Sequence, residues 1–306
     1  MTRVAAIDCG TNSIRLLIAD VESDGSLHEI DRRMTIVRLG EGVDATGRFS
    51  DAALIRTFAA CDEFANIIAA HSVERVRFVA TSASRDVSNR DEYVAGVKSR
   101  LGVEPDVITG DEEAQLSFIG ATSGLADGVA SPYLVVDIGG GSTEFVFGHA
   151  QPEHAKSVNI GCVRMTERHL VADPATAESV AEAIADIDAA IAVAAQSVPI
   201  TQAATVIGLA GSVTTVAAMA IGLDRYDRKA IHGCAISRDA VHRVSQRLLE
   251  MTRAQRAALP FMHPGRVDVI GAGALVLDRI MAHVPNSSVL VSEHDILDGI
   301  AIMLGR

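Results

Sequence analysis

Residues 135–148, VVDIGGGSTEFVFG, predict the fold of the chain around them. A run of apolar residues, rich in valine, ends in an aspartate. Three glycines follow, and a second apolar run begins after Ser142, Thr143 and Glu144. This is the pattern of a strand, a tight turn and a returning strand, which together make a β-hairpin. Because a structural turn needs only one or two glycines, the three indicate that a ligand comes close to the backbone.

A second copy of this unit lies near the start of the chain. Residues 4–21, VAAIDCGTNSIRLLIADV, also run from an apolar strand through Asp-x-Gly and polar turn residues into another apolar strand. Elsewhere, helical spacing of apolar residues alternates with short apolar strands, which is typical of an α/β fold. We therefore predict a duplicated α/β fold with a first domain at 1–126 and a second at 127–293. A terminal helix at 294–306 is expected to pack back onto the first domain.

The composition excludes several classes of partner. The chain has 306 residues, 48% of them hydrophobic, and a net charge of −12. That charge argues against nucleic acid or an anionic membrane as the main partner. No apolar run reaches the roughly 18 residues of a membrane span, and Asp8 interrupts the first apolar segment, unlike a signal peptide. We therefore predict a cytoplasmic protein, with its four scattered cysteines as buried free thiols.

Three local patterns predict helix boundaries and a linker. Ser50 is placed to cap a helix that runs to His71. Asp173 followed by Pro174 predicts the start of a long alanine-rich helix that ends near Gln196. Residues 124–132 are expected to form an inter-domain linker.

The two hairpins have the chemistry of a phosphate site. Glycine-rich turns let backbone N–H groups point at phosphate oxygens, and side-chain donors in the turns add to them. Arginines 15 and 85 are candidate phosphate cations, with surface ion pairs as the alternative, and a helix N-terminus at Gly211 is a further anion site. The predicted phosphate-binding residues are Asn12, Ser13, Arg15, Arg85, Gly139, Gly140, Gly141, Ser142, Thr143, Gly211 and Ser212. Arg164 and Arg266 are weaker candidates.

The carboxylates at the strand ends predict a divalent cation. Asp8 and Asp137 each end a strand, and Glu144 follows in the second turn. Oxygen ligands of this kind suit Mg²⁺ or another divalent cation such as Mn²⁺, which would neutralise phosphate oxygens.

The hairpins DCGTNSIR and DIGGGSTE resemble those of the acetate kinase, sugar kinase, Hsp70 and actin superfamily. Within it, the chain is similar to the exopolyphosphatase/guanosine pentaphosphate phosphohydrolase (Ppx/GppA) family, through ATSASRD, GDEEAQL, GCVRMTER, GLAGSVTT and GRVDVIGAG as well. This resemblance implies two ribonuclease H-like (actin-like ATPase) domains, each a mixed sheet flanked by helices, with a cleft between them. The chain resembles the short, two-domain form of the family.

The resemblance also implies residue roles. Glu113 of GDEEAQL matches the catalytic glutamate that activates the attacking water. From the residues alone, Glu112 and Glu113 can equally serve to complement a helix dipole. Asp137 and Glu144 match the divalent-metal ligands of the family, with Asp8 assisting through water.

The expected activity is metal-dependent hydrolysis of the terminal phosphate of inorganic polyphosphate by a homodimeric enzyme. The same chemistry acting on guanosine pentaphosphate (pppGpp), alone or as a second activity, is the main alternative. A small-molecule kinase of the superfamily and a non-catalytic polyphosphate or alarmone sensor are more remote ones.

Overall fold

The structure, a computed structural model, describes residues 1–85 and 87–306. Residue 86, the last of the ATSASRD stretch, lies outside this range. The chain divides into two compact units: unit 1 contains Met1–Ser123 and Ile296–Arg306, and unit 2 contains Gly124–Asp295. These divisions fall within three residues of the domain boundaries that the sequence predicts.

Unit 1 contains a mixed sheet of five strands in the order β3-β2-β1-β4-β5. The strands are β1 (Thr2–Cys9), β2 (Ser13–Val21), β3 (Leu27–Ile36), β4 (Arg75–Ala80) and β5 (Asp106–Val107). The first three are antiparallel, whereas β4 runs parallel to β1 and β5 runs parallel to β4. This is the predicted ribonuclease H-like topology.

Helices cover the sheet of unit 1. They are α1 (Val43–Thr46), α2 (Asp51–Ala70), α3 (Arg90–Leu101), α4 (Gly110–Ser123) and, from the end of the chain, α12 (Ile296–Gly305). Helix α2 begins as predicted, because the Ser50 hydroxyl accepts a hydrogen bond from the Ala53 amide at 3.2 Å. Helix α12 crosses α4 at Gly299, where an added Cβ would lie 2.0 Å from the carbonyl oxygen of Leu116. The terminal helix is therefore part of the core of unit 1.

Unit 2 repeats this arrangement with one additional strand. Its sheet has the order β10-β11-β9-β6-β7-β8, in which β6, β7 and β8 are antiparallel and β9 and β11 run parallel to β6. The strands are β6 (Tyr133–Ile138), β7 (Thr143–Gly148), β8 (Pro152–Val158), β9 (Thr205–Leu209), β10 (Ala235–Ser237) and β11 (Ser288–Val291). Without the antiparallel edge strand β10, this is the strand order of unit 1, and the duplication predicted from the hairpins is confirmed.

The helices of unit 2 pack around a large aliphatic core. They are α5 (Cys162–Arg168), α6 (Ala177–Ala195), α7 (Ala210–Ala220), α8 (Arg228–Ile231), α9 (Arg238–Glu250), α10 (Arg253–Ala257) and α11 (Ile270–His283). Strand residues such as Leu134 and Val136 are fully buried and belong to the same core cluster as Ile187 of α6 and Leu275 of α11. Within the described part of the chain, no helix is both long and apolar enough to cross a membrane.

The predicted start of α6 is wrong. The helix begins at Ala177, and its cap is Thr176, whose hydroxyl accepts from the Ser179 amide at 3.2 Å. Asp173 instead makes tertiary contacts: its carboxylate accepts from the Arg253 amide at 2.7 Å and from the Arg256 guanidinium at 3.2 Å. The aspartate therefore caps no helix of its own segment.

Candidate active site

The carboxyl ends of the parallel strands of unit 1 lie at one edge of its sheet. Cys9 of β1 is the ladder partner of Ala80 in β4, which in turn pairs with Val107 of β5. The turns that follow these three strands therefore share one edge of the sheet, which is where open α/β sheets bind their ligands. The first hairpin turn, the segment around Arg85 and the start of α4 all meet there.

Glu113 lies in the first turn of α4 and is nearly buried, with 7% of its surface exposed. Its carboxylate accepts a hydrogen bond from the guanidinium of Arg85. The same guanidinium donates through Nε to the carbonyl oxygen of Ile108 at 3.0 Å. The structure thus brings together the residue predicted as the base and one of the two arginines predicted to bind phosphate.

Glu112 has different surroundings, although it is the next residue in the chain. Its side chain is 42% exposed and pairs with Arg77 at 2.7 Å. Its amide is capped by the hydroxyl of Thr109 at 3.2 Å. Glu112 therefore has the contacts of an acid at a solvent-facing helix N-terminus, and the helix-dipole interpretation suits it better than it suits Glu113.

The first hairpin contains an ion pair. Asp8 and Arg15 are ladder partners across β1 and β2, and the Asp8 carboxylate accepts from Arg15 Nη2 at 2.6 Å and Nε at 3.0 Å. The Thr11 hydroxyl of the turn lies 3.1 Å from that of Ser82. The metal-assisting role of Asp8 and the phosphate-binding role of Arg15 stay predictions, since each side chain neutralises the other here.

The second hairpin has two acids at the equivalent positions. Asp137 and Glu144 are ladder partners across β6 and β7, so their side chains are neighbours on one face of the sheet. Both are buried, Asp137 at 6% exposure and Glu144 at 0%. Glu144 Oε1 accepts hydrogen bonds from the hydroxyls of Ser142 and Ser157, each at 2.7 Å. Two adjacent carboxylates of this kind form a hard-oxygen site of the type that divalent cations prefer.

The donor set fits Mg²⁺ in particular. Protein sites for this ion commonly supply only one or two carboxylates and leave the remaining positions to water and phosphate oxygens. Among the described residues, no three His, Cys, Asp or Glu side chains gather into a group able to hold a metal ion. The carboxylates of Asp137 and Glu144 would accordingly hold the cation together with oxygens that do not belong to protein carboxylates.

The turn of the second hairpin is closed by its own backbone. The Gly139 amide donates to the Ser142 carbonyl oxygen at 3.0 Å. The Thr143 side chain is fully buried, and its hydroxyl donates to the carbonyl oxygen of Ile160 at 3.0 Å. The phosphate contacts predicted for the hydroxyls of Ser142 and Thr143 stay predictions, since both hydroxyls have partners inside unit 2.

Helix α7 begins beside the second hairpin. Leu209, the residue before the helix, is the ladder partner of Asp137. At Gly211 the guanidinium of Arg266 lies so close that an added Cβ would be 2.4 Å from its Cζ. Arg266 also donates to the Thr215 hydroxyl at 3.2 Å. The structure therefore places Arg266, a weaker candidate in the sequence, directly at the predicted anion site of Gly211.

Tyr226 is a residue of this region that no sequence pattern selects. Its hydroxyl lies 2.7 Å from the hydroxyl of Thr214 and 2.5 Å from a carboxylate oxygen of Glu293, and its ring lies 6.0 Å from the Arg266 guanidinium. Burial, followed by the charge of Glu293, raises the pKa of Tyr226 to about 12. No motif surrounds Tyr226 in the sequence, so only the fold reveals it.

These features define a class of protein. Of the two actin-like units, unit 1 carries a nearly buried glutamate paired with an arginine, and unit 2 carries a pair of adjacent acids beside a glycine-rich turn; groups of these kinds are suited to phosphoanhydride chemistry. Residues 17–303 match the Ppx/GppA phosphatase family, and the chain belongs to this family.

Three known proteins show how close this relationship is. Exopolyphosphatase 2 of Mycobacterium tuberculosis is 49% identical over 316 residues, which cover 99% of both chains. The crystal structure of an exopolyphosphatase-like protein is 47% identical, covers 100% of this chain and 98% of its own, and has a TM-score of 0.97. The guanosine-5'-triphosphate,3'-diphosphate pyrophosphatase of Photobacterium profundum is 31% identical over 306 residues, which are 96% of this chain and 55% of that protein.

Proposed function

We propose that this protein is an exopolyphosphatase, which hydrolyses the terminal phosphoanhydride bond of inorganic polyphosphate. The observation that carries the proposal is the nearly buried Glu113 at the strand-end edge of unit 1, paired with Arg85. The full-length similarity to Exopolyphosphatase 2 supports polyphosphate as the substrate.

In the proposed reaction Glu113 acts as the general base. The carboxylate accepts a proton from water while the water oxygen forms a bond to the terminal phosphorus. The bond from that phosphorus to the bridging oxygen breaks, and its electron pair stays with the shortened chain. Orthophosphate and a polyphosphate one unit shorter are the products.

Arg85 has two functions in this proposal. Before substrate binds, its guanidinium orients the Glu113 carboxylate, and its Nε is held by the Ile108 carbonyl oxygen. A terminal phosphate presents oxygens that a guanidinium binds in a bidentate manner, so Arg85 can move from the carboxylate to the phosphate. The carboxylate is then available to accept a proton from water.

Asp137 and Glu144 would hold Mg²⁺ or Mn²⁺, which neutralises phosphate oxygens when bound. The hydroxyls of Ser142 and Ser157 fix the orientation of Glu144 through two hydrogen bonds of 2.7 Å. This support holds the Glu144 carboxylate through hydroxyl groups, whereas Asp8 of the first hairpin pairs with Arg15.

The test is a phosphate-release assay with polyphosphates of several lengths, pppGpp and ATP, each with varied Mg²⁺ and with EDTA. We expect release from polyphosphate that stops in EDTA. The Photobacterium relative favours pppGpp as the second candidate substrate, and the ratio of kcat/KM for the two substrates decides between them. Transfer of phosphate from ATP to an acceptor, or binding of polyphosphate without hydrolysis, would contradict the proposal.

The predicted cytoplasmic location and homodimer are also proposals. Light scattering of the purified protein checks the dimer, and fractionation of the source cells checks the location.

A further inference from the structure

The segment that follows the third strand of each unit contacts the hairpin turn of that unit. In unit 2 this is residues 160–164, after β8, and in unit 1 it is residues 37–40, after β3. We call these two segments the braces. Neither is part of a hairpin, and each donates backbone hydrogen bonds to carbonyl groups of the turn.

The brace of unit 2 fixes two consecutive carbonyl groups. The Cys162 amide donates to the Gly139 carbonyl oxygen at 2.9 Å. The amides of Val163 and Arg164 both donate to the Gly140 carbonyl oxygen, at 2.8 and 3.2 Å. The Thr143 hydroxyl adds a bond in the opposite direction, to the brace carbonyl of Ile160.

These bonds determine where the amides of the turn point. In a trans peptide the N–H is directed away from the C=O of the same peptide unit, and the peptides of this turn are trans. Because the carbonyls of Gly139 and Gly140 face the brace, the N–H groups of Gly140 and Gly141 face away from it. Neither N–H has a hydrogen-bond acceptor among the described residues. Successive amides directed to one side form a concavity that binds anions.

The brace of unit 1 repeats this arrangement. The Gly40 amide donates to the Thr11 carbonyl oxygen at 2.8 Å, and the amides of Val37 and Arg38 donate to the Asn12 carbonyl oxygen at 3.1 and 2.9 Å. The amide of Asn12 is turned away from its brace for the same geometric reason.

Each brace contacts its turn through a glycine that leaves no room for a side chain. A Cβ on Gly161 would lie 2.3 Å from the carbonyl carbon and oxygen of Gly140 and 2.4 Å from the Gly141 nitrogen. A Cβ on Gly40 would lie 2.2 Å from Cγ2 of Thr11. The contact in unit 2 is with the backbone of the peptide that joins Gly140 to Gly141 and carries the outward Gly141 N–H, so any side chain at position 161 must displace that peptide.

We propose that the brace 160–164 is a positioning element for the substrate, and that Gly161 is its essential residue. The brace holds the N–H groups of Gly140 and Gly141 in place as donors to phosphate oxygens of the polyphosphate chain. This inference rests on the proposed function, because it assigns these donors to the same substrate.

The test compares Gly161→Ala with Gly271→Ala. Gly271 lies in helix α11 of the same unit, and its added Cβ would meet the nearest atom, of Leu249, at an ordinary 3.5 Å. Both changes are made in a Glu113→Gln background, which we expect to bind polyphosphate without hydrolysing it. Tripolyphosphate binding is measured by calorimetry at a temperature where circular dichroism shows all variants folded.

We expect Gly161→Ala to weaken tripolyphosphate binding roughly 10- to 100-fold, which is the usual worth of one hydrogen bond to a charged group. Gly271→Ala should leave the affinity unchanged. Equal affinities for the two variants would overturn the inference while leaving the proposed function intact, provided that the wild type hydrolyses polyphosphate.

A second measurement does not depend on any glycine variant being folded. Gly139-Gly140 and Gly140-Gly141 are the only Gly-Gly pairs in the chain. Labelling with glycine that carries ¹³C at the carbonyl and ¹⁵N at the amide therefore restricts an HNCO spectrum to the amides of Gly140 and Gly141. We expect both signals to shift when tripolyphosphate is added to the Glu113→Gln protein. Unchanged signals at saturating tripolyphosphate would overturn the inference, and failure to bind tripolyphosphate would overturn the proposed function as well.

Discussion

Replacing Glu113 by glutamine tests the assignment of the base most directly. The Glu113 side chain is 10% exposed and pairs with Arg85, whose side chain is 22% exposed. Glutamine has nearly the same size and keeps an oxygen that can accept from the guanidinium. What it loses is the negative charge, and with it the ability to take a proton from water.

The structure gives the size of the stability change. Leaving one member of a buried ion pair without a partner costs about 3–5 kcal/mol. In Glu113→Gln the Arg85 guanidinium keeps an acceptor oxygen, and its Nε keeps the Ile108 carbonyl. We therefore expect a loss of about 1–2 kcal/mol, which is the difference between a charge-assisted and an ordinary hydrogen bond, and about 3 kcal/mol for Glu113→Ala. Turnover should fall by about 10²–10⁴, the usual contribution of a general base.

Denaturant unfolding measures the loss of stability, and phosphate release from polyphosphate measures the loss of turnover. Glu112→Gln is the matched control, because the same change is made one residue away at a side chain that is 42% exposed. We expect this control to cost less than about 1 kcal/mol and to keep full turnover, as for exposed ion pairs in general. Turnover of Glu113→Gln within tenfold of wild type, or an equal loss in Glu112→Gln, would refute the assignment.

Two further predictions concern unit 2. Asp137→Asn should abolish the rise in melting temperature that Mg²⁺ produces, a stabilisation of about 2.7 kcal/mol at a concentration 100-fold above Kd; an unchanged rise in a calorimetric scan would show that the cation binds elsewhere. Burial, and then the charge of Arg266, lower the pKa of His263, so the unfolded chain takes up a proton first as the pH falls below about 6.5. The contribution of His263 to the free energy of unfolding should therefore be fully present above that pH and be lost as the pH falls below it. His263→Asn, which retains an acceptor for the Gly265 amide, should make the free energy of unfolding less dependent on pH in this range. Identical melting curves of the two proteins between pH 5.5 and 7.5 would contradict this.

The topology could be predicted because it is encoded locally. Each hairpin has both of its apolar runs and the turn between them within 20 consecutive residues, so the repeated pattern predicts two units with the same fold. The Ser50 cap of α2 is local in the same sense, since the serine contacts an amide three residues away. Where a polar residue takes its partner from distant sequence, local patterns fail. Asp173 contacts Arg253 and Arg256 of α10, and no rule based on neighbouring residues anticipates that.

The candidate site shows the same limit. Spacing and resemblance selected Glu113, but the pairing with Arg85 joins residues 28 positions apart and appears only in the fold. The braces are a stronger example, because their contribution comes from backbone N–H groups that any residue other than proline provides. Only the glycines at positions 40 and 161 mark them in the sequence, and a glycine alone does not reveal which backbone it must approach.

The two hairpins also explain why the duplicated units have different chemistry. In both, the residue seven positions after the strand-end aspartate is its ladder partner: Arg15 for Asp8 and Glu144 for Asp137. The choice of that one partner decides whether the aspartate is neutralised within the hairpin or shares its face with a second acid. In unit 1 a second pair of charges, Arg85 and Glu113, lies at the strand-end edge, whereas the adjacent acids of unit 2 are suited to hold a cation. Under the proposed function, this ladder position distinguishes the unit that would hold the cation from the unit that would transfer the proton.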